Sequence, residues 1–544
     1  MQALALLLAM TLQDAPQEDE RPFGVDDVRT AGEVVGLPLD DDELELMLDG
    51  VIRNLRSFER MREYPLDNSV PPALIFDPWI AREPEPVKRL GTGQARAHAA
   101  LDAPVKRPAE LEALAFADLA TLAALIRSRQ VSCVELTTMY LERLRRIDGT
   151  LHCVVTFTEE RALARAKALD AELDLGNWRG PLHGIPWGAK DLLTVDGYRT
   201  TWGAKPFEEQ VLEGDAAVVE ALDEAGAVLI AKLTLGALAW GDVWFDGKTR
   251  NPWNPEQGSS GSSAGSSSAT AAGGVAFSIG SETWGSIVSP SERCGNSSLR
   301  PTFGRVSRHG AMALSWSLDK LGPICRSAQD AALVLEVIAG ADPRDPSTLH
   351  HTAGRNAGKR VRRVGFFAEV AGENERYAAF LDELKELEIQ LVPFQLPEYP
   401  VGDMMVLLNC EAASAFDELT RSGRDDELTR QVEMAWPNVF RHAQLVPAVE
   451  YLRANRLRVR LMRDMATAME EVDVYVHPSF ATDGLTATNL TGHPSVVLPY
   501  DFRENGTPTS ITFTGQLYED ERLLRFAHSW QESTEHHLRH PELR

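Results

Sequence analysis

The chain has little of what several protein classes require. Its 544 residues include five cysteines, at positions 133, 153, 294, 325 and 410. An odd, irregularly spaced set of this kind predicts neither a disulfide framework nor a metal site. There are 55 lysines and arginines against 80 aspartates and glutamates, a net charge of −25. Because phosphate binding needs a basic face, this balance disfavours nucleic acid as a main partner.

A long hydrophobic run is also missing. The apolar run Ala3–Leu12 is too short to cross a bilayer. It is consistent with the core of a signal peptide, but no lysine or arginine precedes it and no clean cleavage site follows. We interpret residues 1–19 as a weak signal sequence or a disordered tail. We expect a soluble protein without a membrane span, and its location, cytoplasmic or exported to the periplasm, stays open.

Glycine and serine, by contrast, are concentrated in the stretch Asn251–Thr302. The clusters Gly258–Ser268 and Gly280–Ser286 flank the small apolar segment Ala269–Ile279. Such a composition is typical of a flexible linker. The apolar segment, and Pro252, Trp253 and Pro255 at the start of the stretch, favour a packed element of the fold instead.

One short motif in this stretch suggests a nucleophile. Gly261–Gly265 matches G-x-S-x-G, the nucleophile elbow of α/β-hydrolases, with Ser263 at the nucleophile position. The match is weak, because a run rich in serine and glycine produces it by chance. An elbow also needs a preceding strand, and Glu256–Ser260 is a poor strand sequence. A G-x-x-x-x-G-K-[ST] phosphate loop is absent from the chain.

The whole stretch carries a longer pattern, in the order NPWNP, SGSSAGS, AAGG, GSETWGSI, CG and LRPTFGRVSR. A second motif, GIPWGAKD, lies upstream at Gly184–Asp191. Together they resemble the amidase signature family of serine hydrolases, and weaker matches extend the resemblance over most of residues 111–515. The resemblance implies an α/β fold, with a mixed central β-sheet sandwiched by helices.

The resemblance also implies the catalytic residues. Carried over by motif position, Ser286 is the nucleophile, Ser262 a bridging serine and Lys190 the base. The family has a cis peptide bond before the bridging serine, which here is Gly261–Ser262. The implied oxyanion hole consists of the backbone N–H groups of Thr283, Trp284, Gly285 and Ser286.

A lysine can act as a base only when it is neutral, and its reference pKa is about 10.4. Burial away from other charges lowers that pKa, by up to roughly 3–5 units. A carboxylate touching Lys190 would raise it, so we expect Asp191 to point elsewhere. Lys232 is the competing lysine, but it matches a family position without a catalytic role.

Some residues near the motif have structural interpretations or depart from the family pattern. We expect Cys294 to be a buried structural thiol and His493 to be structural rather than catalytic. Trp284 stands where the family usually has glycine, and Val288 replaces the usual arginine. These departures do not affect the three catalytic positions, but they prevent the substrate from being inferred from the family pattern.

The chain before residue 111 lacks the family pattern and has a different composition. Residues 13–30 are polar, which predicts disorder, and Asp40–Asp42 precedes a helical apolar pattern from Leu44 to Phe58. The prolines of 67–110 predict an extended wrap or linker. We therefore divide the chain into a largely helical N-terminal appendage, 20–110, and a catalytic domain, 111–544.

The expected function is hydrolysis of a small-molecule amide, R-CO-NH-R′, through an acyl-serine, with no cofactor and no metal. Two alternatives stay open. One is the glutaminase-like component of a tRNA-dependent amidotransferase, its A subunit. The other is a catalytically silent binding protein on the same fold. The acyl group, the amine, any preference for esters or carbamates and the oligomeric state are not predicted.

Overall fold

The structure is a computed structural model that describes residues 22–74, 105–348 and 358–543. The run Ala3–Leu12 and much of the segment 67–110 lie outside these described residues. No described helix is long and apolar enough to cross a bilayer. The division of the chain near residue 110 stays a prediction.

The central element is a mixed sheet of eleven described strands, in the order β1-β3-β2-β8-β10-β9-β14-β15-β13-β11-β12. Four further short strands, β4 to β7, form two separate hairpins. The strands are β1 Val154–Phe157, β2 Pro186–Lys190, β3 Val228–Leu233, β4 Val243–Trp244, β5 Gly247–Lys248, β6 Arg250–Asn251, β7 Asn254–Gly258, β8 Phe277–Glu282, β9 Ser297–Arg300, β10 Lys320–Cys325, β11 Arg363–Phe366, β12 Gln390–Pro393, β13 Val474–Pro478, β14 Ser495–Phe502 and β15 Pro508–Gly515.

Helices surround this sheet, as expected for an α/β fold. The α-helices are α1 Val25–Val35, α2 Asp41–Arg62, α3 Leu119–Arg127, α4 Cys133–Leu151, α5 Glu159–Asp174, α6 Ala217–Glu224, α7 Ala264–Ala271, α8 Val288–Cys294, α9 Ala328–Ile338, α10 Ala368–Glu373, α11 Glu375–Lys385, α12 Val406–Ala415, α13 Asp417–Arg421, α14 Trp436–Ala443, α15 Ala448–Met469, α16 Gly484–Thr491 and α17 Asp520–Glu532.

The strands that carry the candidate site lie in the middle of the sheet. Strand β2 pairs in parallel with both β3 and β8, and every residue of the three strands is buried. Strands covered on both faces lack the alternation of apolar and polar residues, as the run Val228–Ala231 of β3 shows. Parallel neighbours end at the same edge of a sheet, so the last residues of β2 and β8 share one edge.

The N-terminal helices show one correct and one wrong prediction. Helix α2 begins where the sequence indicated: the Asp40 carboxylate accepts the N–H of Glu43, and the Glu43 carboxylate accepts the N–H of Asp40. Its apolar face is buried against α14. The prediction of disorder over 13–30 was wrong from Val25 onward, because helix α1 begins there and packs Val28 against α2.

The serine- and glycine-rich stretch is an ordered part of the interior. Helix α7 is buried along its whole length, as is strand β8. The packed element that the apolar segment favoured is therefore present, and the linker alternative is wrong. Asn254–Gly258 does form a strand, contrary to the sequence prediction, but β7 pairs only with the two-residue strand β6 and lies outside the central sheet.

Candidate active site

Lys190 is the last residue of β2, and Ser281 is the last but one of the parallel neighbour β8. The shared edge therefore brings the two side chains together. Lys190 Nζ lies 2.8 Å from Ser281 Oγ and 3.4 Å from the Ser281 carbonyl oxygen. The chain that follows β7 closes the other side, and Lys190 Nζ lies 2.8 Å from Ser262 Oγ and 3.1 Å from Ser263 Oγ.

The electrostatic setting of Lys190 is unusual for a lysine. Its side chain is fully buried, and within the described residues it forms no ion pair. Burial is the main cause that lowers the pKa of Lys190 well below its ordinary value. The carboxylates of Asp319 and Glu282 oppose this shift from a distance. A neutral amine has one lone pair, so Lys190 can accept a proton from one of the neighbouring hydroxyls.

The loop before Ser262 needs glycine for steric reasons. The Gly261–Ser262 peptide bond is cis, as the family resemblance implied. A Cβ atom added at Gly261 would lie 1.8 Å from the Gly241 carbonyl oxygen, and one added at Gly258 would lie 1.9 Å from Asp242 Oδ2. Larger residues at either position would push the loop away, and Ser262 would move with it.

Ser286 lies on a second loop beside the first. The Ser263 N–H donates to the Ser286 carbonyl oxygen at 3.1 Å, which joins the two loops. Ser286 is half-buried, whereas Ser262 and Ser263 are buried. Ser263 Oγ donates to the Ser281 carbonyl oxygen and accepts the Ser281 N–H, both at 3.1 Å. An elbow nucleophile is exposed at the end of a sheet strand, and Ser263 meets neither condition.

Glu282 holds the loop that contains Ser286, and sequence reasoning missed this role. Its Oε2 accepts the N–H groups of Ile287 and Val288, each at 2.9 Å. Its Oε1 accepts hydrogen bonds from Arg300 at 3.0 Å and Asn489 at 2.9 Å. A single acidic residue in a run of small residues was the only signal in the sequence.

These contacts leave backbone donors available next to Ser286. No described residue accepts a hydrogen bond from the N–H groups of Thr283, Trp284, Gly285 or Ser286. The Thr283 hydroxyl donates to Asp319 Oδ1 at 2.6 Å, and Asp319 Oδ2 accepts the N–H groups of Leu314 and Ser315. The hydroxyl of Thr283 is thereby held by Asp319.

Asp191 points away from Lys190, as expected. Its Oδ1 lies 2.8 Å from Lys232 Nζ in a fully buried ion pair. Its Oδ2 accepts the N–H of Thr201 at 2.9 Å and the Thr201 hydroxyl at 2.5 Å. The competing lysine is therefore occupied by a carboxylate, whereas Lys190 is not.

The two residues with structural interpretations are both buried. The Cys294 thiol lies 3.6 Å from the Ser259 carbonyl oxygen, and burial raises its pKa to about 12. His493 Nδ1 lies 2.8 Å from Thr491 Oγ1, and burial lowers its pKa to about 3. At neutral pH the Cys294 thiol therefore stays protonated and is a poor nucleophile, and the His493 imidazole is neutral but too weak a base to hold a proton.

Two cavities adjoin the loop 281–286. One, of about 250 Å³, is lined by Ser281 and Thr283 together with the segment Ala311–Leu314. The other, of about 440 Å³, is lined by Trp284 together with helices α2 and α16. Trp284, which replaces the usual glycine, therefore contributes to the wall of the larger cavity.

Comparison with known proteins identifies the family and the fold. The amidase family model matches residues 135–524. The chain belongs to the amidase family. The chain is 32% identical over 469 residues to the A subunit of the glutamyl-tRNA(Gln) amidotransferase of Thermosynechococcus vestitus, an alignment covering 76% of this chain and 97% of that protein. It is 34% identical over 476 residues to the corresponding protein of a Roseiflexus species, covering 77% of this chain and 96% of that one.

A solved structure shows the same fold. The native peptide amidase of Stenotrophomonas maltophilia superimposes with a TM-score of 0.71 and 27% identity, covering 79% of this chain and 99% of that one. The recognition of the family and of its mixed α/β fold from the sequence is therefore confirmed. Helices α1 and α2 precede the region that the family model matches.

Proposed function

We propose that this protein hydrolyses a carbon–nitrogen amide bond through an acyl-serine on Ser286, with Ser262 and Lys190 as the proton relay. The supporting observation is the state of Lys190. Its amine is fully buried, has no carboxylate partner among the described residues and lies 2.8 Å from Ser262 Oγ. Burial without a counter-charge favours the neutral amine, which is the form that can act as a base.

The proposed reaction proceeds in balanced steps. Ser286 Oγ attacks the amide carbonyl carbon while its proton passes to Ser262 Oγ, whose own proton passes to Lys190 Nζ. The tetrahedral oxyanion accepts hydrogen bonds from the N–H groups of Thr283–Ser286. The C–N bond then breaks, and the amine leaves with a proton returned through Ser262. Water attacks the acyl ester by the same relay, and releases the acid and free Ser286.

Each part of the relay has a stated energetic role. Positioned proton transfer contributes typically 100- to 10,000-fold to a rate. A single oxyanion donor contributes roughly 100- to 1000-fold. The hydrogen bonds from Ile287 and Val288 to Glu282 fix one end of the loop that contains the four proposed oxyanion donors, and strand β8 fixes the other end. A preformed loop needs no rearrangement when charge develops.

A hydrolysis screen tests the proposal. Primary amides, anilides, esters and carbamates are incubated with the wild-type protein and with Ser286→Ala, and the released amine and acid are quantified. We expect wild-type turnover of at least one amide class and none above background for Ser286→Ala. Hydrolysis that survives Ser286→Ala in full would contradict the proposal.

A second candidate function is that of an amidotransferase component that hydrolyses glutamine. The observation that favours it is the 32–34% identity to the A subunits of glutamyl-tRNA(Gln) amidotransferases. The net charge of −25 weighs against direct RNA contact by this chain. Glutamine hydrolysis that appears only after a partner protein is added would favour this second candidate over the first.

A further inference from the structure

The larger cavity is built from two parts of the chain that the family model treats differently. One wall is helix α2, which precedes the matched region 135–524 and contributes Gly50, Asn54, Arg56 and Ser57 among others. The facing wall belongs to the matched region. A segment outside the family core therefore forms one side of a cavity that adjoins the candidate active site.

The cavity is continuous with the proposed oxyanion loop. Trp284 lines it, and the Trp284 indole N–H donates to Thr486 Oγ1, also a lining residue, at 3.0 Å. Leu485 lines it as well, and a Cβ atom added at Gly285 would lie 3.3 Å from Leu485 Cδ2. A group bound in this cavity would thus lie beside the residues that immediately precede Ser286.

Helix α2 is fastened to the rim of the cavity by side-chain contacts. The Ser57 hydroxyl donates to Asp403 Oδ1 at 2.8 Å, and Arg60 Nε donates to Asp403 Oδ2 at 2.6 Å. Further along the helix, Arg62 pairs with Glu450 at 2.6 Å. Gly50 lies so close to His442 that an added Cβ would be 2.5 Å from the imidazole ring. The helix is therefore a fixed wall.

Most charged groups of the lining are neutralised by ion pairs. Arg60 is paired with Asp403, and Arg53 with Glu433. Two charged lining residues have no ion pair within the described residues: Arg56, which is half-buried, and Asp483, which is exposed, and their signs are opposite. Much of the remaining lining is apolar: Val401, Met405, Val406, Met434, Val439 and Leu485.

Size and polarity together define the ligand. The volume of about 440 Å³ lies within the range of roughly 300–1,000 Å³ of small-molecule sites. We infer that helix α2 completes the substrate site and that this cavity receives an aromatic or similarly bulky apolar group of a neutral amide. The inference rests on the proposed function in one respect: the ligand is taken to be the amide that Ser286 attacks.

Binding, rather than turnover, gives the test. The Ser286→Ala protein is titrated calorimetrically with two matched pairs of amides: 4-phenylbutyramide against butyramide, and N-(3-phenylpropyl)acetamide against N-methylacetamide. We expect at least one aromatic amide to bind about 10- to 100-fold more tightly than its small parent, because a buried phenyl group gains that much from leaving water. The favoured pair also assigns the cavity to the acyl or the amine side.

Filling the cavity should remove this gain. Arg56→Trp fills it from helix α2, and Asn409→Trp fills it from the facing wall, so the test survives the misfolding of either variant. The control is Glu59→Trp, on the same helix but exposed and outside the lining. We expect both filling variants to lower aromatic-amide affinity at least tenfold and to leave the small amides within twofold, while Glu59→Trp changes neither.

The inference is overturned if both aromatic amides bind no more tightly than their parents, or if the gain survives both filling variants. These results leave the proposed function standing, because wild-type hydrolysis of small amides is measured separately. Conversely, tight aromatic binding without any wild-type hydrolysis would reject the proposed function and keep the cavity assignment.

Discussion

Two lysines on neighbouring parallel strands have nearly equal burial and opposite surroundings. Lys190 ends β2, Lys232 lies on β3, and both side chains are fully buried. Lys232 has a carboxylate, Asp191, at 2.8 Å, whereas Lys190 faces the hydroxyls of serines. Burial lowers the pKa of both, but Asp191 opposes the shift at Lys232 directly. Burial alone therefore does not distinguish the two lysines; the carboxylate that contacts Lys232 and not Lys190 does.

The largest expected effect separates the two lysines by activity. We expect Lys190→Met to lower kcat more than about 10⁴-fold, because the acceptor at the end of the proton relay is lost. Its stability should be unchanged or higher, since no ion pair is broken. Turnover and thermal melting, measured on the same preparations, check this. Near-normal turnover of Lys190→Met would contradict the proposed difference in role between the two lysines.

The serines around Lys190 give the next largest effect. We expect Ser262→Ala to lower kcat roughly 100- to 10,000-fold and leave a measurable rate, because the relay is broken but Ser286 remains. Ser263→Ala is the matched control on the adjacent residue, and its turnover should stay within tenfold. Its cost is in stability, about 1–3 kcal/mol for the unmade hydrogen bonds to buried Ser281. The reverse order of activities would favour the elbow interpretation.

Lys232 should show its effect in stability. Lys232→Met leaves the Asp191 carboxylate buried and unpaired, which we expect to cost about 3–5 kcal/mol of unfolding free energy. Asp191→Asn combined with Lys232→Met should recover most of that loss, because the stranded charge is gone. Denaturant unfolding of both variants measures it. Equal stability of the single and double variants would show that the ion pair is not what distinguishes the two lysines.

These contrasts mark what could be predicted from the sequence. The pattern from Gly184 to Asp191 and the stretch from Asn251 to Thr302 identified the family, the fold and the pairing of Lys190 with Ser262. The cap at Asp40 located the start of α2. Those features are local, or they are spaced by a pattern that the family shares.

What was missed depends on contacts between distant parts of the chain. Ser281 is a partner of Lys190 only because β2 and β8 are parallel and end together. Glu282 accepts hydrogen bonds from Arg300 and Asn489, which lie 18 and 207 positions further along the chain. The cavity wall formed by α2 joins residues more than 200 positions apart in the chain. Composition and periodicity carry no record of such pairings.

The smallest effect concerns pH. A base must be neutral, so kcat/KM should rise with pH through an apparent pKa below the value of about 10.4 for free lysine, and Lys232→Met should not remove that limb. The stability of the folded protein should also rise with pH. Because the unfolded chain binds a proton that the folded Lys190 has lost, wild-type stability relative to Lys190→Met should rise between the two pKa values, by up to about 1.4 kcal/mol per pH unit. A stability difference between the wild type and Lys190→Met that does not change with pH would contradict a lowered pKa of Lys190.

The most direct test of the central claim is the site and the lysine dependence of a covalent adduct. The protein is treated with a fluorophosphonate, digested and analysed by mass spectrometry, with Lys190→Met and Lys232→Met in parallel. We predict one adduct on Ser286 in the wild type and in the folded fraction of Lys232→Met, and almost none in Lys190→Met. An adduct on Ser263, or undiminished labelling of Lys190→Met, would contradict the account.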